Sequence, residues 1–329
     1  MAPLPLLDHF RGCLLGLAVG DGLGAPFEGL HADMVFHDFG PMETILRNPD
    51  GETLYYTDDT QMMIGVAETL VDHGRIVEER LCEAFVTNYH PDRGYGRGAR
   101  RVLEAMAMGE DWRVLTQSLF PGGSFGNGAA MRVAPVGLLF CDDLDAVMEQ
   151  ARLSALPTHL HPLGIEGAQL LAVAIALLVR GGEFNRKAFY HELSRRAQTE
   201  EFRWQMKTAS RLSVCDTVGV LGNSLEAHRS VGTALACFSV SPHSYEEMIG
   251  RAIGQGNDTD TLAAMAGALG GAYLGVAAIP PHLLDKLEDN HKGRTYIDHL
   301  ANRLYERYQQ SRNENPAAAG GKEQPRLPQ

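Results

Sequence analysis

The chain has 329 residues, 44% of them apolar, and a formal charge of −12. That length holds one large domain or two average ones with ample core. The acidic balance excludes a broad basic footprint for nucleic acid or an anionic membrane surface. Five scattered cysteines, Cys13, Cys82, Cys141, Cys215 and Cys237, show neither zinc nor dithiol spacing, which points to reduced, mostly buried thiols of a cytoplasmic protein. The opening MAPLPLLDHFRG lacks the pattern of a secretory signal.

Helical periodicity starts with Phe10, Cys13, Leu14 and Leu17 on one face. GDGLGAPFEG, residues 20–29, reads as a glycine-rich loop after that helix. Next, YYTDDTQMM at 55–63 opens a helix whose inner face is Met62, Met63, Val66, Ala67 and Leu70. Further helices are predicted at 77–89, stopped by His90-Pro91, at 98–108 and at 129–140. The loops DRGYGRG (92–98) and PGGSFGNGAAMR (121–132) lie among them. The remaining helices fall at 144–156, 163–180, 186–210, 225–239, 245–253, 261–276 and 296–310. Strand signals are nearly absent. The pattern predicts an all-α multi-helix bundle forming one domain over 1–310, with a polar, Pro- and Gly-rich disordered tail at 311–329. The uncharged stretch 261–279 is long enough to span a membrane, but its Ala and Gly content fits a buried central helix better.

Two acidic clusters carry the chemistry. Thr57, Asp58 and Asp59 open one helix; Asp258, Thr259, Asp260 and Thr261 open another. Each cluster is fully explained as a helix cap, and spacing alone leaves open whether the two meet. If they do, a cation between them sees only oxygen, which selects magnesium, manganese or calcium over zinc or copper. Four converging carboxylates repel unless cations neutralise them, so two metals are expected, with Glu28 as a fifth acid. A chain this acidic is expected to hold a phosphate-bearing ligand with uncharged backbone N–H groups, and the Gly122, Gly123, Ser124 and Gly126 loop suits that.

Six segments in order, GDGLGAPFE, YYTDDTQM, DRGYGRG, SFGNGAAMRVAP, THLHPLG and NDTDTLAAMAGALGGAYLG, resemble the ADP-ribosylglycohydrolase family and cover most of residues 20–275. Within it, YYTDDT, the DRGYG segment and LGNS at 221–224 are most similar to the ADP-ribosylserine hydrolase branch. The resemblance implies a compact, orthogonal all-α bundle, active as a monomer on ADP-ribose and ADP-ribosylated proteins, with two Mg2+ (or Mn2+). It implies Thr57, Asp58, Asp59, Asp258, Asp260 and Thr261 as metal ligands, and Glu28 and Asp258 as catalytic acids. Ligand contacts are implied for Gly94, Gly96, Gly123, Ser124, Phe125, Gly126, Asn127 and His159. Two departures stand out. Phe125 replaces the branch's usual tyrosine, and Asn257 stands where glycine is usual, a residue that tolerates the left-handed backbone.

The implied reaction is hydrolysis at the anomeric carbon of ADP-ribose, through an oxocarbenium-like transition state. Poly(ADP-ribose) and O-acetyl-ADP-ribose are further substrates within its reach. Three alternatives stay open on sequence: an ADP-ribosyl-arginine hydrolase of the same fold, a non-catalytic ADP-ribose reader, and a metal-dependent phosphatase or nucleoside hydrolase.

Overall fold

Along the first helix a glycine recurs every four residues, at Gly12, Gly16, Gly20 and Gly24, so one stripe of its surface carries no side chain. In the computed structural model, which describes residues 4–47, 53–213 and 215–314, that stripe organises the molecule. Eighteen α-helices are present among the described residues: α1 Leu6–Gly24, α2 Ala32–Phe39, α3 Met42–Arg47, α4 Asp58–His73, α5 Glu78–Asn88, α6 Arg97–Ala107, α7 Trp112–Leu119, α8 Gly128–Met131, α9 Ala134–Leu139, α10 Leu144–Ala155, α11 Pro162–Val179, α12 Arg186–Arg196, α13 Glu200–Ala209, α14 Ala227–Val240, α15 Tyr245–Ile253, α16 Thr259–Leu274, α17 Pro281–Lys286 and α18 Arg294–Glu314. There is no β-strand among them, only three isolated bridges. The all-α bundle expected from periodicity is what forms.

α1 runs antiparallel to α16 with backbones in contact. A Cβ added to Gly12 or Gly16 would lie 2.5 Å from the carbonyl oxygen of Gly271 or Gly267, and one on Gly20 or Gly24 would strike Ala263 or Thr259. Only glycine permits that approach. Polar groups fasten the contact: Thr259 Oγ1 donates to the Gly24 carbonyl (2.9 Å), and Tyr245 Oη donates to the Gly16 carbonyl (2.7 Å). Both helices are buried almost throughout. α4, α11, α14, α15 and α18 pack around them.

Several boundaries differ from the sequence reading. Residues 20–24 are not loop but the last turns of α1: Gly20 and Gly24 face α16, and Gly22 faces Leu54 and Tyr55. The expected helix 129–140 splits into α8 and α9, with Pro135, which lacks an N–H, in the first turn of α9. The expected helix 186–210 breaks before α13, where Thr199 caps the new helix and the buried Glu166 accepts N–H bonds from Gln198 (2.6 Å) and Thr199 (3.1 Å). The short helices α2, α3, α7 and α17 are additional to the elements expected from the sequence. α18 continues four residues beyond 310, and residues 315–329 of the expected tail lie outside the described residues. By length and composition α11 is the one helix among the described residues able to cross a membrane, and it is mostly buried in the bundle.

Because the α1–α16 contact is backbone on backbone, a single methyl group has nowhere to go. Gly16→Ala is expected to destabilise the fold by about 1–3 kcal/mol, the usual range for overpacking, read as a lower urea midpoint. Wild-type stability in that variant would contradict the contact.

Candidate active site

The heads of α4 and α16 point into one cavity of about 470 Å³, lined by Glu28, Asp58, Asp59, Asp258, Asp260 and Thr261 together with the two glycine loops. One of the two caps inferred from sequence is there: Thr57 Oγ1 accepts the Asp59 N–H (3.4 Å) at the head of α4, while Asp258, at the N-cap position of α16, makes no side-chain capping bond and accepts from Asn127 Nδ2 instead. The two clusters also meet. Thr57 Oγ1 and Thr261 Oγ1 each lie 3.3 Å from the same Asp59 Oδ2, across helices 202 residues apart in sequence. Capping and convergence therefore coexist at the head of α4, and at the head of α16 only convergence is seen.

Each cluster is held from behind. Asp21, fully buried on α1, accepts the Thr57 and Thr60 N–H groups (3.0 Å each) and the Thr60 hydroxyl (2.5 Å). Asp58 N–H bonds to the Arg93 carbonyl (2.6 Å), joining α4 to the DRGYGRG loop. The Arg93 guanidinium forks onto buried Glu288 (2.5 and 3.0 Å), bonds the Tyr56 carbonyl (2.7 Å), and lies 3.9 Å from the Tyr56 ring centroid. Glu288 in turn accepts the Tyr56 N–H (3.1 Å). Three distant segments thus close on one ion pair.

The second cluster is set by a turn. Gly256 and Asn257 are both left-handed, at φ 65° and 60°, so Asn257 does supply the conformation that glycine would. Their backbone pairs with the Glu28 loop, Gly29 N–H to the Asn257 carbonyl (2.7 Å) and Asn257 N–H to the Leu30 carbonyl (2.6 Å). That pairing holds Glu28 against the acids of α16. One ligand atom from each of Glu28, Asp258 and Asp260 lies within 4.8 Å of the others. Asn127 Nδ2 donates to Asp258 Oδ2 (2.5 Å), and Asn223 Nδ2 donates to the Gly256 and Asp258 carbonyls (2.6 and 3.1 Å).

Burial and mutual repulsion make this cluster a poor home for bare carboxylates. Burial, then the nearby Asp21, pushes Asp58 up to about 8. Burial, then Asp258, pushes Asp260 up to about 9. Asp59 is raised well above the usual carboxylate range by burial and Asp260. Burial lifts Asp21 to about 6 against the pull of its Thr60 and Thr57 bonds, and burial with Asp258 raises Glu28. Asp59 Oδ1 is buried with no hydrogen-bond partner. An orphaned carboxylate oxygen among like charges and hydroxyls fits a hard divalent cation, and none of the donors is a softer nitrogen or sulfur ligand.

The glycine loops form the other wall. Gly94 (φ 83°) and Gly96 line the cavity, as do Gly123, Ser124, Phe125, Gly126 and Asn127. Gly123 (φ 87°) packs on the His161 and Leu160 backbone, which leaves no room for a Cβ. Phe125 is half exposed and meets His161 edge-on at 5.7 Å. His159 lines the cavity from below Gly126 and Gly128. Its Nδ1 is 2.7 Å from Thr158 Oγ1, and burial, then Arg132, lowers it to about 3, so the ring is neutral. Of the residues singled out from sequence, Glu28, Asp58, Asp59, Gly94, Gly96, the 123–127 segment, His159, Asp258, Asp260 and Thr261 line this cavity; Thr57 touches it through Asp59, whereas Gly122 does not line it and the Thr259 hydroxyl is spent on the Gly24 carbonyl.

Sequence reasoning missed Asp21, Glu288, Arg93 and Asn223 as supports, and Phe120, Arg97 and Arg132 as cavity lining. Only Asp21 carried a local sign, a carboxylate inside an apolar, glycine-striped helix.

An all-α scaffold with an oxygen-ligand cluster at the heads of two buried helices, flanked by glycine loops, defines a narrow class of proteins. The ADP-ribosylglycohydrolase family profile matches residues 2–314, and the chain belongs to that family. It is 33% identical to ADP-ribosylhydrolase ARH3 of Danio rerio (94% of this chain, 93% of the relative) and 32% identical to ADP-ribosylhydrolase ARH3 of Homo sapiens (93% and 95%). An uncharacterized protein of Archaeoglobus fulgidus is 33% identical over 91% of this chain and 96% of its own length. Among solved structures, an ADP-ribosylglycohydrolase-related protein complex superposes with a TM-score of 0.69 at 26% identity, covering 92% of this chain and 99% of that one. The family-level activity is hydrolysis of ADP-ribose linkages.

Two measurements probe the geometry. Mg2+ or Mn2+ should raise the melting temperature, by an amount equivalent to about 2.7 kcal/mol at a hundredfold excess over Kd; Asp59→Asn should lose most of that rise. Glu288→Gln removes the charge that the half-buried Arg93 guanidinium pairs with and should cost about 1.5–3 kcal/mol in chemical denaturation. An unchanged midpoint would show the clamp to be idle.

Proposed function

We propose that the protein hydrolyses the O-glycosidic bond between ADP-ribose and a protein acceptor, serine first, using two divalent cations, Mg2+ or Mn2+. The observation that carries this reading is the meeting of Glu28, Asp258 and Asp260 with Asp58, Asp59 and Thr261 around one cavity, with an unpartnered Asp59 oxygen among them. On this reading Thr57, Asp58 and Asp59 hold cation from the α4 side, and Asp258, Asp260 and Thr261 hold it from the α16 side. Cations held by these residues would supply positive charge for the oxygen atoms of the bound sugar and of the attacking water.

The chain's own residues supply the rest. Within the 123–127 loop the N–H groups of Gly123, Gly126 and Asn127 are taken by the Phe120 carbonyl, the Ser124 hydroxyl and the Leu225 carbonyl, which leaves those of Ser124 and Phe125 to meet the diphosphate without adding formal charge. Phe125 and Phe120, both in the cavity wall, offer apolar faces to the adenine. Water adds to the anomeric carbon as the bond to the serine oxygen breaks. The departing oxygen takes a proton, and Glu28, whose carboxyl is raised by partial burial and Asp258, is placed to hold or pass it. Asn127, bonded to Asp258, fixes that carboxylate's orientation.

The serine assignment rests on the similarity of YYTDDT, DRGYG and LGNS to one branch of the family; cleavage of ADP-ribosyl-arginine by the same site is the competing reading. Incubating serine- and arginine-linked ADP-ribosyl peptides with the protein, with and without chelator, decides by mass spectrometry. The serine peptide should be stripped, free ADP-ribose should appear, and chelator should stop it. Glu28→Gln should keep ADP-ribose binding and lose about 10²–10⁴-fold in turnover, the span of a general acid–base contribution. Asp260→Asn should lose cation and activity together; full turnover without bound metal would defeat the scheme.

A further inference from the structure

Five carboxylates line the cavity, and a dinucleotide-like ligand adds its own negative charge to them. Only two cationic side chains line the same cavity among the described residues, Arg132 and Arg97. Arg132 is committed elsewhere. It is 1% exposed, gives Nη2 to the Ser154 carbonyl and the Thr158 hydroxyl (2.8 Å each), and lies over the Phe85 ring. Arg97 is the reverse: exposed, the first residue of α6, and with no hydrogen bond, ion pair or ring partner among the described residues.

Nothing in the fold accounts for Arg97. A cation in the first turn of a helix opposes the helix dipole, so the position costs stability instead of adding it. Among the described residues no carboxylate pairs with it to offset that cost, in a chain with net charge −12. Its neighbours aim the segment at the ligand. Gly96 caps α6 with open space beside its Cα, and Gly98 packs so closely on the Phe120 ring that a Cβ there would lie 2.5 Å from it. The start of α6 is thereby pinned to the cavity's aromatic wall, with the guanidinium free to reach inward.

We infer that Arg97 binds the phosphate groups of the ligand, as the one side-chain cation this site offers to its diphosphate. The inference deepens the reading given above and rests on it. On this inference the DRGYGRG loop contributes its second arginine as well as its glycines. A planar guanidinium matches two phosphate oxygens in a way that lysine does not.

Titration calorimetry with ADP-ribose tests this on the full chain at low and high salt, comparing wild type with Arg97→Ala, Arg97→Lys and Arg101→Ala. Arg101 is exposed on the same helix but does not line the cavity. Losing a charged hydrogen-bonding partner should weaken binding about tenfold or more at low salt for Arg97→Ala, with Arg97→Lys between it and wild type. The gap should narrow at high salt, where exposed charges are screened. Arg101→Ala should bind as wild type does. Low-salt binding by Arg97→Ala within about twofold of wild type, or a loss that ignores salt, overturns the inference and leaves the proposed activity standing. A wild-type protein with no affinity for ADP-ribose overturns the activity itself.

Discussion

The backbone contact between α1 and α16 is the constraint on which the rest depends. Four glycines on one helix, facing Gly271, Gly267, Ala263 and Thr259 on the other, let two buried helices touch along most of their length. The contact runs antiparallel, so the C-terminal end of α1 lies beside the N-terminal end of α16. Asp21 and the Glu28 segment therefore emerge at the head of the helix that carries Asp258, Asp260 and Thr261. Asp21 then reaches across to the Thr57 and Thr60 N–H groups and draws the head of α4 to the same point. A packing feature with no chemistry of its own thus fixes where the chemistry is.

Electrostatics explains why so much of the surrounding structure is devoted to restraint. Carboxylates in a buried cluster repel one another and are driven toward their protonated forms, as the upward displacement of Asp58, Asp59 and Asp260 shows. Left to relax, such side chains would turn apart. Instead, Arg93 and Glu288 clamp the strand before Asp58, Asn127 holds Asp258, and the left-handed Gly256-Asn257 turn locks Glu28 beside them. A preorganised set of repelling oxygens is a site shaped for positive charge.

How much of this was legible in the sequence follows from which features are local. Helix type, the Thr57 cap and the glycine loops at 92–98 and 121–128 are local, and they are legible in kind; the Asp258 cap is not formed, because its carboxylate turns to Asn127. The turn at Asn257 was read as well, because its conformational demand sits in one residue. Residues 20–24 were misread as loop: glycine signals a turn or a close approach, and only the partner helix 240 residues away distinguishes them. The supporting roles of Glu288 and Asn223 are hidden for the same reason, since each acts on backbone far away in sequence, and Asp21 shows only that a carboxylate sits inside an apolar helix, not what it holds. Convergence of the two acidic clusters was open on spacing alone and became an expectation only through resemblance to the family.

The most direct test is anomalous diffraction from crystals grown or soaked with Mn2+. The account predicts two manganese peaks in the cavity between the heads of α4 and α16, one or both within bonding distance of Asp59 and Asp260. Ordered crystals at saturating Mn2+ with no peak there, or with the aspartates turned away from one another, would contradict it.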